Sequence, residues 1–275
     1  YFMGKDNILF HSVIWPAILL GVGRHDAADR DGSLNLPTDV VANEYVNFDG
    51  GSMSTSRNVG VWLPDYLARY DPDPLRYYLT LNAPETRDVD FTWRDFVTAN
   101  NNGLLATWGN LVNRVLKLAY TRCEGRVPEP GPLDEADRAI LARASAAFDE
   151  VGARLEERRF KLALAEAMAA AHDVNRYVSD KAPWATLTDD PATGRTTLYV
   201  ALRAIDDLKT VLAPFLPHTS QRVHEYLGYD GALFGAIAIE EVGAGEDAHS
   251  VLRYRADGAV GRWAPGALPV GQALR

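Results

Sequence analysis

From Thr92 onward, Phe96, Leu104, Leu105, Trp108, Leu111, Val112, Val115 and Leu118 recur at three- and four-residue spacing. That period lines apolar side chains along one face of a helix, and such a helix holds only when the face is covered. After a Pro/Gly-rich link from Val127 to Pro132, further helical segments follow at about 134–158, at Phe160 to Asp180, at about 195–212 and at Pro217 to Leu227. Joined by short loops, they predict an antiparallel helical bundle. The alanine-rich segment from Phe160 permits close helix packing. Residues 229–275 give only weak strand hints, around Ile237–Val242 and Leu252–Arg255, and are expected to be an irregular tail.

Ahead of Thr92 the pattern is α/β. Tyr1-Phe2-Met3 reads as a strand, Gly4-Lys5-Asp6 as a tight turn, and the next stretch as a helix ending at Gly21. Pro16 lies inside that helix and removes a backbone donor, so a kink or an early end is expected. Residues 25–36 read as a charged loop and Val40 to Phe48 as a strand, with Asp49-Gly50-Gly51 as a hairpin turn. Residues 52–58 show no hydrophobic period and are expected to form a mobile loop. One short helix should start near Pro64 and end at Tyr70. A second, capped by Asp73 with Pro74 following, should stop before Pro84. The boundary falls near residue 91. The expected organisation is therefore a partial α/β domain over 1–91, an all-α domain over 92–228 and a tail over 229–275.

Composition narrows the function classes. At 47% hydrophobic residues the chain is not disordered. No apolar run reaches the ~20 residues that span a bilayer, so no membrane partner is expected. A formal charge of −9 argues against non-specific nucleic-acid binding, but a local basic face is compatible with it. Cys123 is the one cysteine. It can form neither an internal disulfide nor a cysteine zinc site, which points to a reducing cytoplasm and no bound metal. The chain opens on Tyr1 as though inside a strand and shows no secretory signal, so the expectation is a truncated gene.

In open α/β sheets, ligands bind where a strand turns into a helix, and Gly4-Lys5-Asp6 occupies such a turn. Glycine lets a ligand approach the backbone, Lys5 can meet a phosphate and Asp6 can accept from a ribose hydroxyl. A solvated loop has the same composition. His11 and Trp15, four residues apart, share a helical face. With Phe10 they suit either a core face with a satisfied histidine or a pocket for a thioether, since sulfur packs well on aromatic rings.

The string G-K-D-x-x-x-F-H-x-x-x-W-P-A at residues 4–17 is similar to the second half of the nucleotide-binding fold of methionyl-tRNA synthetases. The resemblance implies a Rossmann-type class I catalytic domain, with Gly4, Lys5 and Asp6 at the ATP site and Phe10, His11 and Trp15 in the methionine pocket. The loop Ser52-Met53-Ser54-Thr55-Ser56 stands where class I synthetases carry KMSKS, whose lysines stabilise charge on the phosphates of ATP. Both lysines are absent here. The HIGH motif of the first half does not occur in the 275 residues.

The bundle extends the resemblance through Asn113-Arg114, Asn175-Arg176-Tyr177 and Lys181-Ala182-Pro183-Trp184, which look like the anticodon-binding domain of the same enzymes. The resemblance implies that Trp184 stacks on an anticodon base, a role that suits an exposed tryptophan. In the family an asparagine and a basic residue four positions later contribute as well. Those positions hold Lys117 and Thr121 here, with Arg122 adjacent. The implied partners are methionine, ATP with magnesium, and the methionine tRNA. The expected function is that of a methionyl-tRNA synthetase portion, inactive alone for want of its amino-terminal half. A non-catalytic tRNA-binding paralogue, one half of a split synthetase and another class I member are the alternatives.

Overall fold

The computed structural model describes residues 3–25, 34–245 and 248–275. The strand read at Tyr1-Phe2 and most of the loop read at 25–36 lie outside the described residues. The chain divides into two compact units that are not contiguous in sequence: 1–69 with 82–96, and 70–81 with 97–275.

In the first unit, Gly4 pairs in parallel with Asn43, and a 3-10 turn over Lys5–Asn7 leads into a helix. That helix is π-wound over Phe10–Ile14 and α-helical over Trp15–His25 (α1). It runs past both Pro16 and Gly21. The backbone N–H of Trp15 bonds Phe10 O, five residues back, so the wider turn lies directly before the proline that a regular turn would crowd.

The strand expected over Val40 to Phe48 is shorter, because its pairing partner changes along the way. Asn43 bonds Met3 and Lys5, Glu44 N donates to Pro84 O, and only β1 (Val46–Phe48) forms a ladder, parallel to β2 (Val89–Phe91). The turn at Asp49-Gly50 forms as expected. Both residues have positive φ, at 50° and 79°, and Phe48 and Gly51 exchange backbone hydrogen bonds across it. Helix α2 (Leu63–Leu67) stops short of Tyr70. Tyr66, Phe91, Trp93 and Phe96 pack their rings together as this unit's aromatic core.

The second unit is the expected bundle. Helix α3 (Pro72–Leu81), read from sequence with the first domain, belongs to it. Asp73 does not cap α3. Its buried carboxylate accepts from the backbone N–H groups of His218 and Thr219, in the first turn of what becomes the bundle's last helix. The long helix begun by α4 (Trp93–Ala99) is π-wound over Asn100–Gly109 before becoming α5 (Asn110–Arg122). Gly103 in the π segment makes room for the buried Tyr77, whose hydroxyl would lie 2.3 Å from a Cβ there.

Helices α6 (Glu135–Glu156), α7 (Phe160–Lys181) and α9 (Pro191–Val211) form the centre. Leu198, Leu202, Ile205 and Leu208 of α9 are fully buried, and Ala163, Ala167, Ala170 and Ala171 let α7 approach closely. Sequence periodicity missed the short α8 (Pro183–Asp189) between them. Helix α10 (Pro217–Tyr226) follows.

The tail is less irregular than expected. Strands β3 (Ala236–Val242) and β4 (His249–Arg255) form an antiparallel hairpin. Beyond it Leu268 and Leu274 enter the core, and Val127 exchanges backbone hydrogen bonds with Gly271 and Gln272. A buried polar cluster holds the tail to α9. Gly266 N donates to Asp207 Oδ1 at 2.6 Å, and Tyr229 Oη donates to Asp206, which also pairs with Lys209.

Candidate functional site

The turn at Gly4 places two carboxylates, Glu44 and Asp88, on one lysine. Lys5 Nζ bonds Glu44 and, at 3.1 Å, Asp88, and it sits 4.8 Å from the centre of the Tyr45 ring. These carboxylates, Glu44 first, raise the Lys5 pKa above its ordinary value. The Tyr45 hydroxyl donates to Asp6, and Asp88 also accepts from Tyr45 N. Gly4 has φ −84°, open to any residue, and a Cβ on it would meet nothing closer than 3.8 Å. The chain's own packing does not require glycine there.

Phe10 and Trp15 are 54% and 41% exposed, and His11 Nδ1 lies 3.0 Å from Asn7 O. No residue of this helix before Trp15 is buried, so the three side chains form an open surface in this chain. The segment 52–58 is a closed turn in the structure. Ser54 and Val59 exchange backbone hydrogen bonds, Asn58 takes φ 54°, and Trp62 Nε1 donates to Asn58 Oδ1 at 2.8 Å. Ser52, Thr55 and Ser56 are exposed, as is Met53, and Arg57 is the segment's one cation.

In the second unit the motifs from three helices converge. At the end of α7, Ala182 adopts the left-handed conformation (φ 43°), and Pro183 then starts α8 at a position that needs no backbone donor. The abrupt turn leaves Trp184 48% exposed. Beneath its ring lies Arg114 of α5, whose guanidinium carbon is 5.6 Å from the ring centre. Arg114 is held in turn by Asn175 O at 2.7 Å and Ser179 Oγ at 3.1 Å, both on α7. Lys181, one residue before the turn, ties α7 to the start of α6 by pairing with Asp134 and Asp137. Tyr177 Oη donates to the same Asp137 carboxylate at 2.8 Å.

Arg122 donates to Thr188 Oγ1 at 3.2 Å, one turn beyond Trp184 on α8. Lys117, one turn along α5 from Arg114, is exposed and forms no ion pair among the described residues. The bracing residues Arg114, Asn175 and Lys181 stood inside quoted motifs, yet sequence could not show that they meet at Trp184. Ser179 and Thr188 carried no signal.

Among the described residues no group of three or more His, Cys, Asp or Glu is placed to hold a metal, and no helix is long and apolar enough to cross a membrane.

Comparison with known proteins decides the family. The profile described as "tRNA synthetases class I (M)" matches residues 1–116, and that described as "Anticodon binding domain of methionyl tRNA ligase" matches residues 127–244. The chain belongs to the methionyl-tRNA synthetase family.

The methionine–tRNA ligase of Thermomicrobium roseum is 54% identical over 276 residues, covering 100% of this chain and 46% of the relative. That of Chloroflexus aggregans is 49% identical, covering 100% and 47%. Among solved structures, Mycobacterium tuberculosis methionyl-tRNA synthetase in complex with methionyl-adenylate aligns with a TM-score of 0.75 at 29% identity. It covers 83% of this chain and 44% of that one. The apo form of the same synthetase aligns with a TM-score of 0.75 at 27% identity, over 100% and 47%. The chain spans about half the length of the curated relatives it matches.

Proposed function

We propose that this chain supplies the anticodon-reading bundle and part of the ATP and methionine sites of a methionine–tRNA ligase of the cytoplasm. The reaction would run in two steps. The carboxylate of methionine attacks the α-phosphorus of ATP, supplied with magnesium as substrate, and releases pyrophosphate. A terminal ribose hydroxyl of the methionine tRNA then takes the methionyl group and releases AMP. In this reading Gly4 leaves room for the nucleotide, Asp6 accepts from a ribose hydroxyl, and Phe10, His11 and Trp15 form one wall of the methionine pocket. The Ser52–Ser56 turn answers to the phosphate-covering loop.

The observation that carries the reading is Trp184. A large aromatic left half-exposed, on a helix start fixed by a left-handed residue and a proline, is a stacking platform for an unpaired base. Arg114 braces one face of the ring and leaves the other to the base. Lys117 and Arg122 supply positive charge on α5 for the loop's phosphates. The test is the affinity of this chain for a hairpin carrying the anticodon loop of the methionine tRNA. Trp184→Ala should weaken it by roughly 5- to 100-fold, the range of base–aromatic stacking. Equal affinity would return Trp184 to a structural role.

Lys5 and the 52–58 turn favour a further statement about this chain by itself. Lys5 is already neutralised by Glu44 and Asp88, and the turn has no lysine. Little free positive charge is left to stabilise the phosphates of ATP. We therefore expect the isolated chain to bind the tRNA without activating methionine.

A further inference from the structure

A groove of about 560 Å³ lies between α5, α10 and the end of the chain, on a different side of α5 from Trp184. Its floor is apolar, with Val112, Leu116 and Val223, and Trp108 also lines it. The Trp108 Nε1 is buried with no hydrogen-bond partner among the described residues. Its rim is of another kind. Lys117, Arg222 and Arg275 line it and no acidic side chain does, in a chain whose formal charge is −9. Tyr120 and Tyr226 also line it, and they remain 58% and 46% exposed.

Half-exposed tyrosines beside a rim of cations, over an apolar floor, match the chemistry of an unstacked nucleotide. Any base offers a π-face to an aromatic ring, and its phosphate asks for positive charge. The volume also falls within the ~300–1,000 Å³ usual for small-ligand pockets. Two of the three cations have acidic neighbours outside the lining: Arg222 lies 3.4 Å from Asp71, and Arg275 lies 2.6 Å from Asp230. Both pairs are solvent-exposed and therefore weak, so a phosphate can compete for either arginine. Lys117 has no such partner among the described residues.

We propose that this groove is a second RNA subsite, taking one unstacked nucleotide of the same loop whose other base stacks on Trp184. Arg114, which faces Trp184, and Lys117, which faces the groove, are three residues apart on α5, about 4.5 Å along its axis. One strand crossing α5 can therefore reach both. The base lies against Tyr120 and Tyr226, and its phosphate lies among Lys117, Arg222 and Arg275. The inference rests on the tRNA reading above.

The test uses the full chain and the labelled methionine anticodon hairpin, followed by fluorescence anisotropy. Tyr120→Ala and Tyr226→Ala should each lower affinity roughly 5- to 100-fold, and Tyr→Phe at either position should restore it, since the ring does the stacking. A hairpin made abasic at the nucleotide that fills the groove should erase the difference between the wild type and Tyr226→Ala, while the loss caused by Trp184→Ala persists. If Trp184→Ala weakens binding and both Tyr→Ala variants, with unaltered melting temperature, bind as the wild type does, the groove is not a subsite. If Trp184→Ala has no effect, the tRNA reading fails and this inference with it. Should a Tyr→Ala variant melt early, Arg222→Ala decides, since this cation lines the groove and has no part in the Trp184 site. It should reduce the slope of log affinity against log salt by about 0.7, as expected for one lost phosphate contact on a single strand. An unchanged slope overturns the proposal.

Discussion

Trp184 and Trp108 belong to the same unit and have opposite fates: one is 48% exposed, the other 1%. What separates them is the backbone just before each, a left-handed Ala182 and a proline in one case and a continuous helix in the other. Arg114 gives the exposed ring its support, and that contact spans 70 residues of chain, so no local pattern could announce it. Arg114→Gln should leave the fold intact and weaken hairpin binding by several-fold, less than Trp184→Ala does. Titration of the hairpin against both variants checks the order.

A second residue-scale prediction concerns Asp207. Burial pushes its pKa from the ordinary 3.8 up to about 6. The native state thus holds the proton more tightly than the unfolded chain, and ionisation destabilises the fold. That cost is absent below about pH 3.8, grows as pH rises through 6 and is complete above it, at of order 2–3 kcal/mol. Asp207→Asn keeps an oxygen for the Gly266 N–H. It should therefore melt higher than the wild type at pH 8, with the gain gone near pH 4. Parallel thermal melts at the two values would show it, and a gain independent of pH would refute the assignment.

Elements differ in how far the sequence reveals them. Helices α6 and α7 were legible nearly to the residue, because a Pro/Gly-rich link bounds the first and an alanine-rich run marks the second. The helix through Pro16 was not, since a π-wound turn is a backbone solution with no side-chain signature. Helix α8 was hidden by its seven-residue length, and the tail by long-range hydrogen bonds, such as that of Val127 to Gln272.

What lets α8 lie close against α9 is Gly194. A Cβ there would lie 2.7 Å from Leu187 N, which is backbone and cannot rotate away. Gly194→Ala should therefore cost about 1–3 kcal/mol by overpacking, and by displacing α8 it should also weaken hairpin binding. Chemical denaturation and the same titration test both effects. A stable variant with unaltered affinity would show that α8 does not need this close approach.

At the scale of the whole molecule, both units leave apolar side chains open to solvent. Leu9, Phe10, Val13 and Leu20 along the first helix stay more than half exposed, as do Ile237, Ile239 and Leu252 of the β3–β4 hairpin. So large an apolar surface on a single helix promotes association. The purified chain should self-associate at micromolar concentration, and Leu9→Ser with Val13→Ser should reduce this, as read by light scattering. The family was legible in two short strings, and the matches now extend it along the whole chain. The methionine-activating chemistry stayed out of reach because the Phe10, His11 and Trp15 surface is open and the 52–58 turn lacks its lysines.

The central claim, that the second unit reads the anticodon of a methionine tRNA, has a direct measurement. The chain is titrated with the methionine anticodon hairpin and with the same hairpin made abasic at the first anticodon position. The account predicts at least tenfold tighter binding of the methionine hairpin, with the preference lost in Trp184→Ala. Equal affinity of the wild-type chain for both hairpins would contradict it.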